Sequence, residues 1–512
     1  MSAHRHAWVA LLVLGATTAW GRAALDPAGP CAAKKLNAAA RMLRARSGCE
    51  LNAATRLAEC RARVERGLER SFAATEKVGS CLLQGDADAA ADAVGAFVDA
   101  ELAQIQPAGG PSRCTRLALV ATAKLAKSLL RARAKDVVAP DPIVLAGAGD
   151  AARVDFTTRM AKALEAGDCG ANADPAALAD AAVEFADGLR ALLLPPLRAL
   201  GARTGRRIGA AVQSGYLANE PDYVATLVRE LDAMTAEFEA LWTVLHPAPA
   251  VYAFDALDAI ADFAAAHGML LRAHHLVWDL YYPDYLNALS PEELRIELED
   301  HIRTVAGRYR GRIATWVVVN EAVNYFSAGL KPSIWLDKLG PDYIADAFRI
   351  AHEADPDAEL FYNDVFAENV GPKSDFIYAM VQDLIAQGVP IHGVGFQMHH
   401  FFGGPAPATL RQNLQRFVDL GLRVQLTEID VLTGSFPGEL ADRLREQATV
   451  YHDIVAVCVA VAGCDAMTFW GFTDKHSWID TFFAPNLYPL PFDTAYRPKP
   501  AYLGVRDALL GR

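Results

Sequence analysis

The sequence predicts an α/β protein: a (β/α)8 TIM barrel preceded by an all-α, disulfide-linked helical domain. Three observations carry this expectation. From about Leu193 onward, short β-branched runs alternate with helical periodicity; before that point the chain is rich in Ala and Arg with helical spacing and almost no strand pattern; and six of its eight cysteines lie in that first part. The chain has 512 residues, is 52% apolar and carries a net charge of −12. Such a length and apolar fraction support more than one core. The acidic balance argues against nucleic acid as a partner, because that binding rests on Lys and Arg neutralising phosphates.

Residues 1–24 read as an export signal. Arg5 lies between His4 and His6, an apolar run follows from Ala7 to Ala19, and small residues continue through Gly21 and Ala24. No later stretch is apolar for long enough to span a bilayer, so no membrane span is expected and the mature protein is expected to be secreted or periplasmic.

Residues 25–192 form the expected helical domain. Its cysteines, at 31, 49, 60, 81, 114 and 169, suit an exported chain that forms disulfides. Two segments repeat: Ser80-Cys81 through Asp99 resembles Asp168-Cys169 through Asp187, and each copy opens with a cysteine before a Leu/Ala/Lys helix, Cys31 or Cys114. The second copy keeps only the outer two cysteines. The pairs Cys31–Cys81 and Cys114–Cys169 follow, and by elimination Cys49–Cys60; in a helical hairpin, outer ends meet and inner ends meet. Phe72, Phe97, Phe156 and Phe185 sit at helix-like positions and are expected in its core.

Residues 193–512 form the expected barrel. Its predicted strands are Arg207–Val212, Ala233–Phe238, Leu270–Trp278, Thr315–Asn320, Glu359–Asn363, Gly393–Met398, Arg423–Glu428 and Ala466–Trp470. Helices are predicted between them, including Asp255–Ala266, Pro341–Glu353, Ser374–Gln387 and Pro437–Ala462.

Glu321 and Glu428 close the fourth and seventh of these strands, at the end where such barrels carry their chemistry. Two carboxyls facing one cleft are the minimal equipment for glycosidic cleavage, one protonating the leaving oxygen and the other attacking carbon or activating water. Strand-end glutamates more often cap or form ion pairs, so the pair alone does not decide the matter. The neighbours His399 and His400 suggest a metal, but no third ligand stands at a recognisable spacing, and neither metal nor cofactor is expected.

The order of several motifs adds a resemblance. Residues from about 200 to 510 resemble glycoside hydrolase family 10, the retaining endo-β-1,4-xylanases. The matching segments are Arg272–Trp278, Val318-Val319-Asn320-Glu321-Ala322, Phe361-Tyr362-Asn363-Asp364, Gly395–His399, Leu426-Thr427-Glu428-Ile429-Asp430, Phe469–Trp478 and the closing Pro491–Tyr502. The resemblance implies that Glu321 is the general acid/base and Glu428 the nucleophile, with net retention of anomeric configuration. Asn320 would hold the sugar 2-hydroxyl, and His399 and Asp430 would form a relay on Glu428. Gln397, His274 and Glu237 would line sugar subsites, with Trp278, Trp470 and Trp478 as apolar walls. It also implies a Cys458–Cys464 disulfide and a polysaccharide partner, xylan or a related β-glycan. A monomer is expected.

Departures from the family pattern are as specific as the matches. Where the family has Glu-Asn-Glu-Met-Lys-Trp, this chain has Glu237-Phe238-Glu239-Ala240-Leu241-Trp242, so two groups that grip sugar hydroxyls on the non-reducing side are apolar. Asp279 replaces a histidine and Val317 an aspartate; the adjoining third and fourth strands are expected to bring these two together in a rebuilt contact. Val365-Phe366 replaces Tyr-Asn on the leaving-group side. Besides a xylanase, the sequence leaves open a β-glycanase acting on another backbone and a barrel that binds glycan without cleaving it.

Overall fold

The computed structural model describes residues 28–511 apart from 52–55, 79–80, 82–83, 108–109, 139–141, 171, 402 and 484–485. The export signal read in residues 1–24 lies outside the described residues.

Six helices come first among the described residues: α1 (Ala28–Glu50), α2 (Leu57–Glu76), α3 (Ala87–Ile105), α4 (Arg113–Val138), α5 (Pro142–Leu164) and α6 (Pro175–Leu193). Disulfides join Cys31 to Cys81, Cys49 to Cys60 and Cys114 to Cys169. The repeat in the sequence reappears in space, because equivalent helices of the two copies face each other, α1 against α4 and α3 against α6. The equivalent rings of Phe97 and Phe185 stack with centroids 4.3 Å apart. Each copy also carries the same ion pair: Arg46 Nη2 to Asp99 Oδ1 at 3.1 Å, and Arg133 Nε to Asp187 Oδ1 at 2.8 Å. Three helices alone would leave one apolar face wet; the second copy covers it, forming a core around Leu36, Leu43, Leu125 and Leu129. Phe72, Phe97 and Phe156 are buried, and Phe185 packs against them from the edge.

Eight parallel strands form a closed barrel: β1 (Arg207–Val212), β2 (Ala233–Ala236), β3 (Leu270–Val277), β4 (Thr315–Asn320), β5 (Glu359–Asp364), β6 (Gly393–Phe396), β7 (Arg423–Val431) and β8 (Cys464–Phe469). Closure runs through Arg207↔Ala466 between β1 and β8. The strands are nearly continuous apolar runs because helices cover their outer face while side chains fill the barrel; all of Thr315–Asn320 is buried. A disulfide from Cys458, in the helix Leu440–Ala460, to Cys464 ties that helix to the start of β8.

Most strand ends fall within two residues of expectation, and the differences cluster around the cleft. β2 stops at Ala236, so Glu237 and Phe238 lie in the loop beyond it. β7 runs on to Val431 because His399–His400 form a second short ladder with Asp430–Val431. Glu428 therefore sits inside a strand and not at its end, which gives its side chain a fixed direction.

Candidate active site

At the C-terminal end of the strands lies a cleft of about 420 Å³. Glu237, His274, Glu321, Gln397, His399 and Glu428 line it together with Trp278, Trp470 and Trp478. Asn320 and Asp430 stand behind this lining, buried. A second hollow, lined by Arg207, Glu359 and Arg423, opens at the opposite end, where parallel barrels carry stability and not chemistry.

The two glutamates are held in opposite ways. Glu321 follows the last residue of β4 and turns the chain at φ 53°, in the left-handed region that non-glycine residues adopt when surrounding structure demands it. Its backbone amide donates to Asn363 O at 2.9 Å. The residue is 7% exposed, and its Oε1 accepts from Gln397 Nε2 at 2.9 Å. Burial raises its pKa above the ordinary carboxyl range, partly opposed by Gln397 and by Lys331, whose Nζ is 3.8 Å from Oε2. A carboxyl so placed keeps its proton to a higher pH than a solvated one does.

Glu428 is surrounded by groups that complement a carboxylate. Asn363 Nδ2 donates to its Oε1 at 2.8 Å, and His399 Nε2 stands 3.1 Å from its Oε2. His399 Nδ1 is 2.8 Å from Asp430 Oδ2, which also accepts from Trp478 Nε1 at 2.8 Å. Burial pulls the His399 imidazolium down, but Asp430 and Glu428 outweigh it and raise its pKa to about 10. His399 is then a cation at neutral pH, bonded to an acid on each side. His274 Nδ1 lies 3.7 Å from Glu428 Oε1 and has no hydrogen-bond partner among the described residues.

Asn363 links the two glutamates. The β4–β5 register sets it opposite Asn320. Its Nδ2 donates to Asn320 Oδ1 at 2.8 Å as well as to Glu428, while its Oδ1 accepts from Thr427 Oγ1 at 2.7 Å. Gly395 leaves the room: a Cβ there would overlap Asn363 Oδ1 and stand 2.8 Å from Thr427 Cγ2. Glu237 lies further along, its Oε2 accepting from Gln213 Nε2 at 3.1 Å; burial raises its pKa to about 7, with Glu239 and Glu428 adding to the rise.

Sequence reasoning brought the two glutamates and their expected neighbours to one cleft but left other contributors unassigned. Asn363 belonged to a recognised motif without a role; its position opposite Asn320 was the available signal. Lys331 carried no signal, because it reaches Glu321 only through a loop pinned by the Val323↔Leu330 bridge. The expected Asp279–Val317 contact is corrected. Val317 is fully buried opposite His274 in the β3–β4 ladder, whereas Asp279 lies two residues past that ladder's last pair and forms an ion pair with Lys331 at 2.8 Å. Trp278, Trp470 and Trp478 line the cleft; Phe238 is 37% exposed at its rim and Leu241 is buried. Among the described residues, no cluster of three His, Cys, Asp or Glu could hold a metal.

Comparison with known proteins agrees with this architecture. The profile described as Glycosyl hydrolase family 10 matches residues 196–508. The chain is 39% identical over 320 residues to Endo-1,4-beta-xylanase B of Thermotoga neapolitana, covering 61% of this chain and 91% of that protein. It is 38% identical to Beta-1,4-xylanase of Dictyoglomus thermophilum over 58% of this chain and 86% of that one. Among solved structures, native xylanase 10B from Thermotoga maritima superposes with a TM-score of 0.58 at 38% identity, covering 61% of this chain and 98% of its own. The helices before residue 196 lie outside the family match. With its closed barrel, its paired carboxyls and a match spanning most of the chain, the protein is a glycoside hydrolase that belongs to glycosyl hydrolase family 10.

Proposed function

We propose that the protein is an exported, retaining endo-β-1,4-glycanase acting on xylan, with Glu428 as nucleophile and Glu321 as acid/base. The observation that carries the reading is the contrast between the two carboxyls: Glu321 is pushed toward its protonated form by burial, while Glu428 receives Asn363 and the His399 imidazolium. Environments that separate two carboxyls in this way assign acid and base.

In the first step Glu428 attacks the anomeric carbon as Glu321 protonates the departing glycosidic oxygen, leaving the glycosyl group esterified to Glu428. In the second, Glu321 takes a proton from water, which displaces Glu428 with net retention. Asn320, fixed by Asn363, would hold the sugar 2-hydroxyl, a contact that tightens as positive charge develops at the ring. Gln397 and His274 would line the ring, with Trp278, Trp470 and Trp478 as its walls. His399, held by Asp430, bonds Glu428 and fixes its direction. A protein that only bound glycan would not need an acid, a nucleophile and a relay together.

The xylan assignment follows the relatives, which are named for that activity. Phe238 and Leu241 favour a second reading for the non-reducing side, a different backbone sugar, since they offer no donor to a hydroxyl there. The same proposal takes residues 1–24 as the export signal, 25–192 as the helical domain and 193–512 as the catalytic domain. Four disulfides support export; no helix among the described residues is long and apolar enough to cross a membrane.

Product analysis of the purified protein on xylan, arabinoxylan, mixed-linkage glucan and cellulose tests the reading. Linear xylo-oligosaccharides from the first two are expected. Hydrolysis of none of the four would overturn it, as would full activity in Glu428→Ala.

A further inference from the structure

The charge of this protein is unevenly placed. Residues 193–512 hold 25 Lys and Arg against 40 Asp and Glu, so the barrel carries the acidity of the whole chain; residues 25–192 hold 22 against 21. Within the helical domain the two signs are separated again. Helices α1 and α4, which pack together, hold twelve of its bases but only two of its acids, Glu50 and Asp136. Both acids are buried and paired, Glu50 with Arg46 and Arg61, Asp136 with Arg190. The exposed faces of α1 and α4 therefore present bases and no acid.

On α4, Lys124, Lys127, Arg131 and Lys135 recur at three- and four-residue spacing and form one stripe, while Arg41 and Arg44 stand one turn apart on α1. The two sets meet at Lys127, whose pKa is lowered by burial and by the charges of Arg131 and Arg44. Like charges four residues apart destabilise a helix. Here only Lys124 is offset, by Asp155 of α5 at 3.0 Å; the other five form no ion pair among the described residues. The barrel treats its exposed arginines differently: Arg303 reaches Glu299 and Glu353, and Arg308 and Arg312 reach Asp258. Lys124, Arg131 and Lys135 also border a groove of about 480 Å³ between α4 and α5, lined further by Ala148, Ala151 and Ala152. Unpaired cations that work against their own helix, set beside a groove, fit a polyanion.

Composition narrows the partner. Residues 25–192 contain no Trp or Tyr, and their four Phe lie in or against the helical core. Stacking aromatics would suit a neutral sugar, and Trp or Tyr anchors a membrane surface; this face has neither. Guanidinium groups pair in two-pronged fashion with carboxylates, and cations one helix turn apart, roughly 5.4 Å, can meet carboxylates spaced along a sugar chain. We propose that the joined faces of α1 and α4 bind a carboxylate-bearing polysaccharide, holding the acidic barrel against a matrix whose charge would otherwise repel it. The choice of a polysaccharide over another polyanion rests on the reading of the protein as an exported glycanase.

The test is calorimetric titration of the full chain with polygalacturonate and with the same polymer fully methyl-esterified, which keeps the sugars and removes the charge. Binding is expected to the charged polymer alone and should weaken as salt rises. The combined Arg44→Gln, Lys127→Gln, Arg131→Gln variant should bind about tenfold more weakly or worse; exposed ion pairs contribute little singly, so three are removed together. Its circular dichroism and its kcat on xylotetraose should match wild type, while its rate on insoluble xylan bearing glucuronate should fall. Equal affinity for the two polymers, unchanged affinity in the folded variant, or tighter binding to phosphatidylglycerol vesicles or duplex DNA would overturn the proposal. The polymer comparison and the salt series need no variant, so they decide the matter even if the variant does not fold. Failure of wild type to hydrolyse xylotetraose would instead remove the glycanase reading, a result distinct from any outcome of the titration.

Discussion

Replacing Asn363 by alanine tests how far the catalytic pair depends on a residue that need not touch substrate. Asn363 is fully buried, and its Nδ2 makes two bonds of 2.8 Å, one to the Glu428 carboxyl and one to Asn320 Oδ1. Without it, Glu428 Oε1 keeps only His274 at 3.7 Å, and Asn320 Oδ1 keeps Gln397 at 3.4 Å. A hydrogen bond to a charged group contributes about 1.5–3 kcal/mol. If that orientation is needed in the transition state, kcat/KM should fall by roughly 10- to 150-fold, at about 1.4 kcal/mol per tenfold. Stability should fall as well, because Thr427 loses its acceptor. Steady-state kinetics on a soluble xylo-oligosaccharide, corrected for the folded fraction from thermal melting, separates the two effects. Asn363→Asp should be worse still, since it sets a second carboxyl against Glu428. A kcat/KM within about threefold of wild type in folded Asn363→Ala would refute the reasoning.

Other outcomes follow from the same geometry. Glu321→Ala should abolish hydrolysis of polysaccharide yet keep a measurable first step on dinitrophenyl glycosides, seen as a burst of dinitrophenolate; equal losses on both substrates would contradict the acid role. Lys331→Met removes the cation that holds the Glu321 pKa down and leaves Asp279 unpaired beside it. Both changes favour the protonated acid, so the alkaline limb of the kcat/KM profile should move to higher pH, and a shift to lower pH would contradict the assignment. The Cys31–Cys81 bond closes a loop with a sequence separation of 50, so the Cys31→Ser, Cys81→Ser variant should lose about 4 kcal/mol on the loop-entropy estimate. Because the helical core and the barrel core are distinct, calorimetry should show that loss in the helical transition with kcat unchanged.

The barrel was legible because its strands are buried apolar runs, and the glutamates were legible because each stands just after such a run in the sequence, Glu321 beyond the end of β4 and Glu428 within β7. What the sequence could not show lies in loops and in register. Asp279 was expected opposite Val317, but β3 and β4 pair His274 with Val317 and Val277 with Val319, so Asp279 runs past the ladder and meets Lys331. The cleft also takes Phe366, Phe401 and Phe483 from three separate loops, none of which has periodicity that would mark it. The helical repeat could be read from its outer cysteines and the spacing of its aspartates, but not that Phe97 of one copy would lie on Phe185 of the other. Such a contact needs the two copies to meet face to face, which local pattern does not encode.

The most direct test of the central claim is to trap the intermediate. A 2-deoxy-2-fluoro β-xylobioside with a dinitrophenyl leaving group forms the ester and slows its hydrolysis, so intact mass should rise by one fluoroglycosyl unit. After proteolysis, that mass should appear on the peptide bearing Glu428 and be absent in Glu428→Ala. Label on any other residue, or turnover of the natural substrate with inversion at the anomeric carbon, would contradict the account.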